Sequence, residues 1–167
     1  MNLLKQTNPY FPQEVRRYGC RFLTMLAIPQ LYFQRALDVP QIMGIFRLGK
    51  SDPTVISENC HTERNEHFLM QYALAVLSKP TYRCRQVGRM KGPEVVWWNV
   101  VSSFQYMVCH WSTIGLDGHW TLFEKDGIEI YDPWDAEQAV GIEGLEDHYR
   151  IRKQVVDKRL LYRIWEV

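Results

Sequence analysis

The chain is short of cysteine, of net charge and of long apolar runs, and each shortage excludes something. There are four cysteines in 167 residues, at positions 20, 60, 84 and 109, and no two form a Cys-x-x-Cys pair. Zinc-ribbon spacing is therefore absent. Formal net charge is +1, from 20 basic and 19 acidic residues. Such a balance gives no electrostatic reason to expect nucleic acid or an anionic membrane as partner. No stretch approaches the roughly 18 apolar residues of a membrane span. The opening Met1-Asn2-Leu3-Leu4-Lys5 lacks the apolar core of a signal peptide, so the expected compartment is the cytoplasm, with reduced thiols. There is no phosphate-binding glycine-rich loop and no Ser-nucleophile elbow, and neither an internal repeat nor a low-complexity tract. Neither metal nor organic cofactor is expected.

What is present is ordinary globular composition, 46% apolar and 23% charged, with 13% aromatic residues. Disorder and coiled coil are poor readings of such a chain. Residues 1–167 fit one domain, long enough to bury a core without staples. Residues 1–18 carry Asn8, Pro9 and Pro12 with little periodicity and read as an extended arm. Residues 19–80 read as mainly helical. Phe22, Leu23, Leu26 and Ala27 share a helical face, Pro29 kinks or ends that helix, and Asp38 with Pro40 opens another. Phe68, Leu69, Tyr72, Ala73 and Leu77 form a further stripe, ended by Lys79-Pro80.

Residues 81–167 read as mainly antiparallel sheet, with alternation over 82–87, a turn over 88–93, and strands over 106–111 and 160–165. The run from Val95 to Val101 suits a strand or a buried helix, and 134–150 an acidic irregular connector. The clearest hairpin runs from His119 to Tyr131 around Asp126-Gly127, read as a two-residue type I′ turn. Helices followed by antiparallel strands predict an α+β fold.

Three residues carry candidate chemistry. Cys20 follows a glycine at the start of an apolar helix, where the partial positive charge favours thiolate. It also reads as a buried small residue. In a two-residue hairpin where Lys125 faces Ile128, paired positions sum to a constant that sets Thr121 opposite Asp132. His119 then lies diagonal to Asp132 on one face, within side-chain reach. A carboxylate there fixes the imidazole tautomer and leaves the other nitrogen to take a thiol proton. Taken singly, His119 reads as a strand end and Asp132 as half of an Asp-Pro turn.

Together, Tyr18-Gly19-Cys20-Arg21-Phe22-Leu23 resembles the nucleophile helix of papain-like cysteine peptidases. The run from Gly118-His119-Trp120 to Tyr131-Asp132-Pro133-Trp134 resembles their His strand and Asp-Pro strand. The likeness is to the bacteriocin-leader-peptidase branch and its bacterial and prophage-borne relatives. It implies a papain-like fold and a cysteine peptidase acting on a peptide or protein through Cys20, His119 and Asp132. It also implies that Gln13 helps bind the oxyanion, though a solvated loop glutamine is the alternative. Arg21 follows the cysteine where many relatives have a small residue. A catalytically silent binding domain, or an amidase or acyltransferase with the same triad, fits the same residues. Cys60, His61, His67 and Cys84 could supply four zinc ligands, but their irregular spacing favours a polar loop and a core cysteine. Trp97, Trp98, Trp111 and Trp120 are expected to fill the core. Trp134 is placed to shield the His119–Asp132 pair from water.

Overall fold

A computed structural model describes residues 1–91, 104–113, 116–134 and 155–167. The run 95–101, Trp97 and Trp98 with it, and the connector beyond Trp134 lie outside the described residues. Among the described residues four helices come first, α1 (Gln13–Tyr18), α2 (Cys20–Tyr32), α3 (Val39–Lys50) and α4 (His67–Val76). Five strands, counted among the same residues, follow: β1 (Tyr82–Lys91), β2 (Tyr106–Thr113), β3 (Leu116–Glu124), β4 (Glu129–Tyr131) and β5 (Val155–Glu166). They form one antiparallel sheet in the order β1-β5-β2-β3-β4. The fold is thus α+β, a helical N-terminal part against a C-terminal antiparallel sheet.

Hydrophobic pattern explains most of these elements. Alpha2 is apolar nearly all round, with Phe22, Met25, Leu26 and Ile28 fully buried, as a central helix must be. Fully burying each such side chain contributes about 1.5–3 kcal/mol over leaving it exposed. Pro29 does not end α2, which runs on to Tyr32. Gln34 then turns at positive φ, and the Gln30 side chain secures the exit, donating to the Leu26 carbonyl and accepting from Leu37 N–H. The helical region expected over 19–80 is therefore interrupted after Tyr32. Alpha3 starts as expected, with Asp38 and Gln41 forming a capping box.

The sheet has two faces with different burial. Cys84, Val108, Trp120, Leu122, Leu160, Tyr162 and Ile164 join the helices in the main core. Phe104, Met107, Cys109 and Leu161 form a smaller cluster of their own. Beta5 is longer than the 160–165 expected, because its first half is charged and gives no strand signal. Beta1 continues through the region expected to turn, with a register shift between Gln86 and Gly88 absorbing the glycine.

Two sequence expectations need correction. The arm 1–18 is not simply extended: 13–18 is helix α1, and Leu3, Gln6, Phe11 and Val15 are buried. The hairpin does not use a type I′ turn. Glu124 carbonyl accepts from Gly127 N–H at 3.0 Å, and Glu124 N–H donates to the Ile128 carbonyl at 2.9 Å. Gly127 sits at φ +87°, whereas Asp126 is not at positive φ. That is a three-residue loop ending in a left-handed glycine, the pattern of a type I turn with a bulge. The turn therefore starts the strands one residue away from the expected register. A second irregularity, between Leu122 and Phe123, restores it, so Phe123 faces Glu129 but Leu122 faces Tyr131.

Gly118 has a specific reason to be glycine. A methyl group there would lie 1.8 Å from His110 Nε2. The His110 ring occupies that space, 4.6 Å from the Trp120 ring and with Nδ1 2.6 Å from Asp157 Oδ1. Gly118→Ala is expected to lower stability in urea by about 1–3 kcal/mol through this overpacking. In a His110→Ala background most of that cost should vanish; additive losses would show that the two residues do not share the space.

Candidate active site

The start of α2 docks against the edge of β3 where β4 has stopped. Thr24 makes the joint: its hydroxyl lies 2.7 Å from the Cys20 carbonyl and 3.2 Å from the Trp120 carbonyl. Beta4 ends at Tyr131, opposite Leu122, so the β3 backbone beyond it is open to another partner, and the first turn of the helix takes that place. Cys20, half-buried, is thereby set beside Trp120, the residue next to His119.

His119 is 5% exposed. Its Nε2 lies 2.9 Å from Asp132 Oδ1. An ionised carboxylate can only accept, so Nε2 carries the hydrogen of that bond and Nδ1 is the acceptor nitrogen of the neutral ring. Asp132 Oδ1 also accepts from Trp134 N–H at 2.9 Å. The Trp134 ring stands edge-on to the imidazole, centroids 5.8 Å apart, and is itself buried. It covers the pair as expected.

Burial pushes the Cys20 thiol up to about 11. Against this, the backbone amides of Trp120, Arg21 and Cys20 and the Arg21 charge favour the thiolate. The helix-start effect read from the sequence is thus present but outweighed by desolvation. At neutral pH the resting group is a thiol, and chemistry on it needs a base within reach.

Arg21 does not project outward from the nucleophile turn. Its guanidinium pairs with the buried Glu66, donates to the Thr62 carbonyl at 2.9 Å and lies 4.7 Å from the Trp120 ring centre. Gln13 is exposed at the first position of α1, and its side chain makes no hydrogen bond to Cys20 or His119. A residue that periodicity could not single out is tied to the segment that carries Asp132. Gln6 is fully buried; its backbone N–H donates to the Pro133 carbonyl at 2.6 Å and its Nε2 to the Arg16 carbonyl at 2.8 Å. Lys5 Nζ donates to the Asp132 carbonyl at 2.6 Å, and Tyr131 hydroxyl to the Leu4 carbonyl at 2.7 Å. Residues 4–6 therefore run as a strap along the segment that carries Asp132.

The other candidate ligands stay apart. Cys84 sulfur touches Met70 sulfur in the core, Cys60 is met by Lys50 Nζ at 3.5 Å, and His61 and His67 lie against Tyr18 and Phe68. Among the described residues no three His, Cys, Asp or Glu groups cluster as a metal site would need. Nor is any helix among them long and apolar enough to cross a membrane.

Compared with known protein families, curated proteins and solved structures, the chain matches none of them.

Burial separates the cysteines by reactivity. Cys109 is pushed up to about 12 and Cys84 further, both by desolvation. Between pH 7 and 9 thiolate content falls roughly tenfold per unit of rise. Iodoacetamide is therefore expected to alkylate Cys20 at least ~10-fold faster than Cys84 or Cys109, with all three rates rising with pH. Peptide mapping after timed labelling reads this directly. Equal labelling of Cys20 and Cys84 would contradict the placement of Cys20.

Proposed function

We propose that the chain is a papain-like cysteine-dependent hydrolase, most simply a peptidase, with Cys20 as nucleophile, His119 as base and Asp132 as its orienting partner. The observation that carries the reading is the buried His119 Nε2–Asp132 Oδ1 contact of 2.9 Å beside the start of the Cys20 helix. Cys20 Sγ attacks the carbonyl carbon of a peptide bond while its proton passes to His119 Nδ1. His119 returns that proton to the leaving amine as the carbon–nitrogen bond breaks, leaving a thioester on Cys20. Water then attacks the thioester, giving a proton to His119, and the thiol is re-formed as the acid leaves. Asp132 holds Nε2–H and stabilises the imidazolium. The resemblance to bacteriocin-leader peptidases makes a peptide or protein the natural substrate, and an amidase or acyltransferase would use the same steps.

Gln6 is a second candidate for the oxyanion role that the resemblance gives to Gln13. Gln6 is buried alongside Asp132–Pro133, whereas Gln13 faces solvent. A primary amide has two hydrogens, and the Arg16 carbonyl takes one of them.

A second reading, a silent domain that binds a peptide or protein partner, is favoured by the upward push on the Cys20 thiol. Turnover separates the two. Purified protein assayed on unfolded protein and peptide libraries by mass spectrometry should show cleavage that Cys20→Ala abolishes without unfolding, alanine being a good helix residue. No cleavage of any peptide or amide, with Cys20 inert to peptidyl chloromethyl ketones, would sink the enzyme reading. Asp132→Asn should lower kcat by on the order of 10–10³ while scarcely changing Tm, since shape and one hydrogen bond survive. Gln6→Ala should cost ~10²–10³ in kcat, the usual worth of an oxyanion donor, with Gln13→Ala close to the parent protein. The reverse order would return the role to Gln13.

A further inference from the structure

Next to the nucleophile in the chain lies an ionic network that the triad does not use, with Glu66 buried and Arg21 half-buried. Arg21 and Glu66 form an ion pair. The other Glu66 oxygen accepts from Tyr162 hydroxyl. Glu66 is 4% exposed and Tyr162 fully buried. The guanidinium also donates to the Thr62 carbonyl and stacks on Trp120. Four parts of the fold meet at this one ion pair: the first turn of α2, the 62–66 loop leading into α4, β3 beside His119, and β5 through Tyr162.

Such a network is a poor way to gain stability. Taking a carboxylate and a guanidinium out of water costs several kcal/mol per ion, and apolar replacements of similar volume are often neutral or stabilising. What it does provide is direction. A planar guanidinium with a forked set of donors fixes orientation as well as distance. The residue it fixes is the immediate neighbour of Cys20, and the ring it stacks on is the immediate neighbour of His119.

We propose that Arg21, held by Glu66, which Tyr162 in turn holds, is a positioning residue for the Cys20 chemistry, locking the nucleophile turn against β3 and keeping a positive charge within electrostatic range of the thiol. This rests on the hydrolase reading above. The groups that face Glu66 are Arg21 from α2, Tyr162 from β5 and Cys84 from β1. Desolvation raises the Glu66 carboxyl, and Arg21 and Tyr162 oppose that rise. Arg21 and Tyr131 interact electrostatically with Cys20, and His119 is one residue from Trp120 on β3. Arg21 is the cation among those acting on the thiol, and it favours the thiolate.

The test is the rate of Cys20 alkylation by iodoacetamide from pH 6 to 9.5, read by peptide mapping, in the parent protein and in Arg21→Met, Arg21→Lys, Glu66→Gln and His119→Ala. Tm is measured alongside. Arg21→Met should slow Cys20 about 3–10-fold at each pH below the thiol midpoint, with that midpoint moved upward, while labelling of Cys60 is unchanged. Arg21→Lys keeps the charge but loses the planar fork, so it should recover only part of the rate. Glu66→Gln, which frees the guanidinium to move, should fall between the two. A His119-dependent rate that ignores Arg21→Met overturns the positioning role and leaves the hydrolase reading standing. So does equal slowing in Arg21→Met and Arg21→Lys that tracks a fall in Tm, which marks a purely structural tie. A Cys20 rate that ignores His119→Ala overturns the hydrolase reading and the positioning role with it.

Discussion

Everything proposed for this chain depends on how the first turn of α2 meets the open edge of β3. A strand edge exposes backbone donors and acceptors that must be satisfied. Beta4 satisfies only the part of β3 opposite Glu129–Tyr131. Past that point the hydroxyl of Thr24 reaches the Trp120 carbonyl while still bonded to the Cys20 carbonyl one turn back. The short length of β4 is thus what makes room for the nucleophile turn. A longer hairpin would have paired the same edge and displaced Cys20 from the neighbourhood of His119.

Much of this was legible in the residues, for identifiable reasons. Asp38 with Pro40, and the stripe from Phe68 to Leu77, carry local signals that packing does not override. The pairing of His119 with Asp132 was legible through hairpin arithmetic, yet by a route the arithmetic did not contain. The loop is one residue longer than a type I′ turn, and the irregularity at Leu122/Phe123 cancels the slip before it reaches His119. Bulges leave little trace in composition, so their occurrence in a compensating pair is visible only in the fold. Beta5 was half hidden because Asp157, Lys158 and Arg159 look like a solvated loop. In the sheet, Asp157 pairs with His110, and Lys158 lies 5.6 Å from the Trp120 ring centre.

The polar residues of the site were the least legible. Gln6 and Gln13 are both glutamines in a segment without periodicity, and only burial separates them. In sequence Arg21 stands out only as a large residue after the cysteine. In the fold its guanidinium turns into Glu66 and becomes part of the scaffold. Long-range polar partners, 45 positions apart for Arg21 and Glu66, are beyond any argument from local spacing. The thiol shows the same limit. Its helix-start position is visible in sequence, but the desolvation that outweighs it is a property of the packed core.

The central claim is that Cys20, His119 and Asp132 act as one unit. Its most direct measurement is the ¹⁵N NMR titration of the His119 imidazole in the parent protein and in Cys20→Ala. A functioning unit has a neutral ring protonated at Nε2, on the Asp132 side, and a titration midpoint that moves when the sulfur is removed. A ring protonated at Nδ1, or a midpoint indifferent to Cys20→Ala, would contradict the claim.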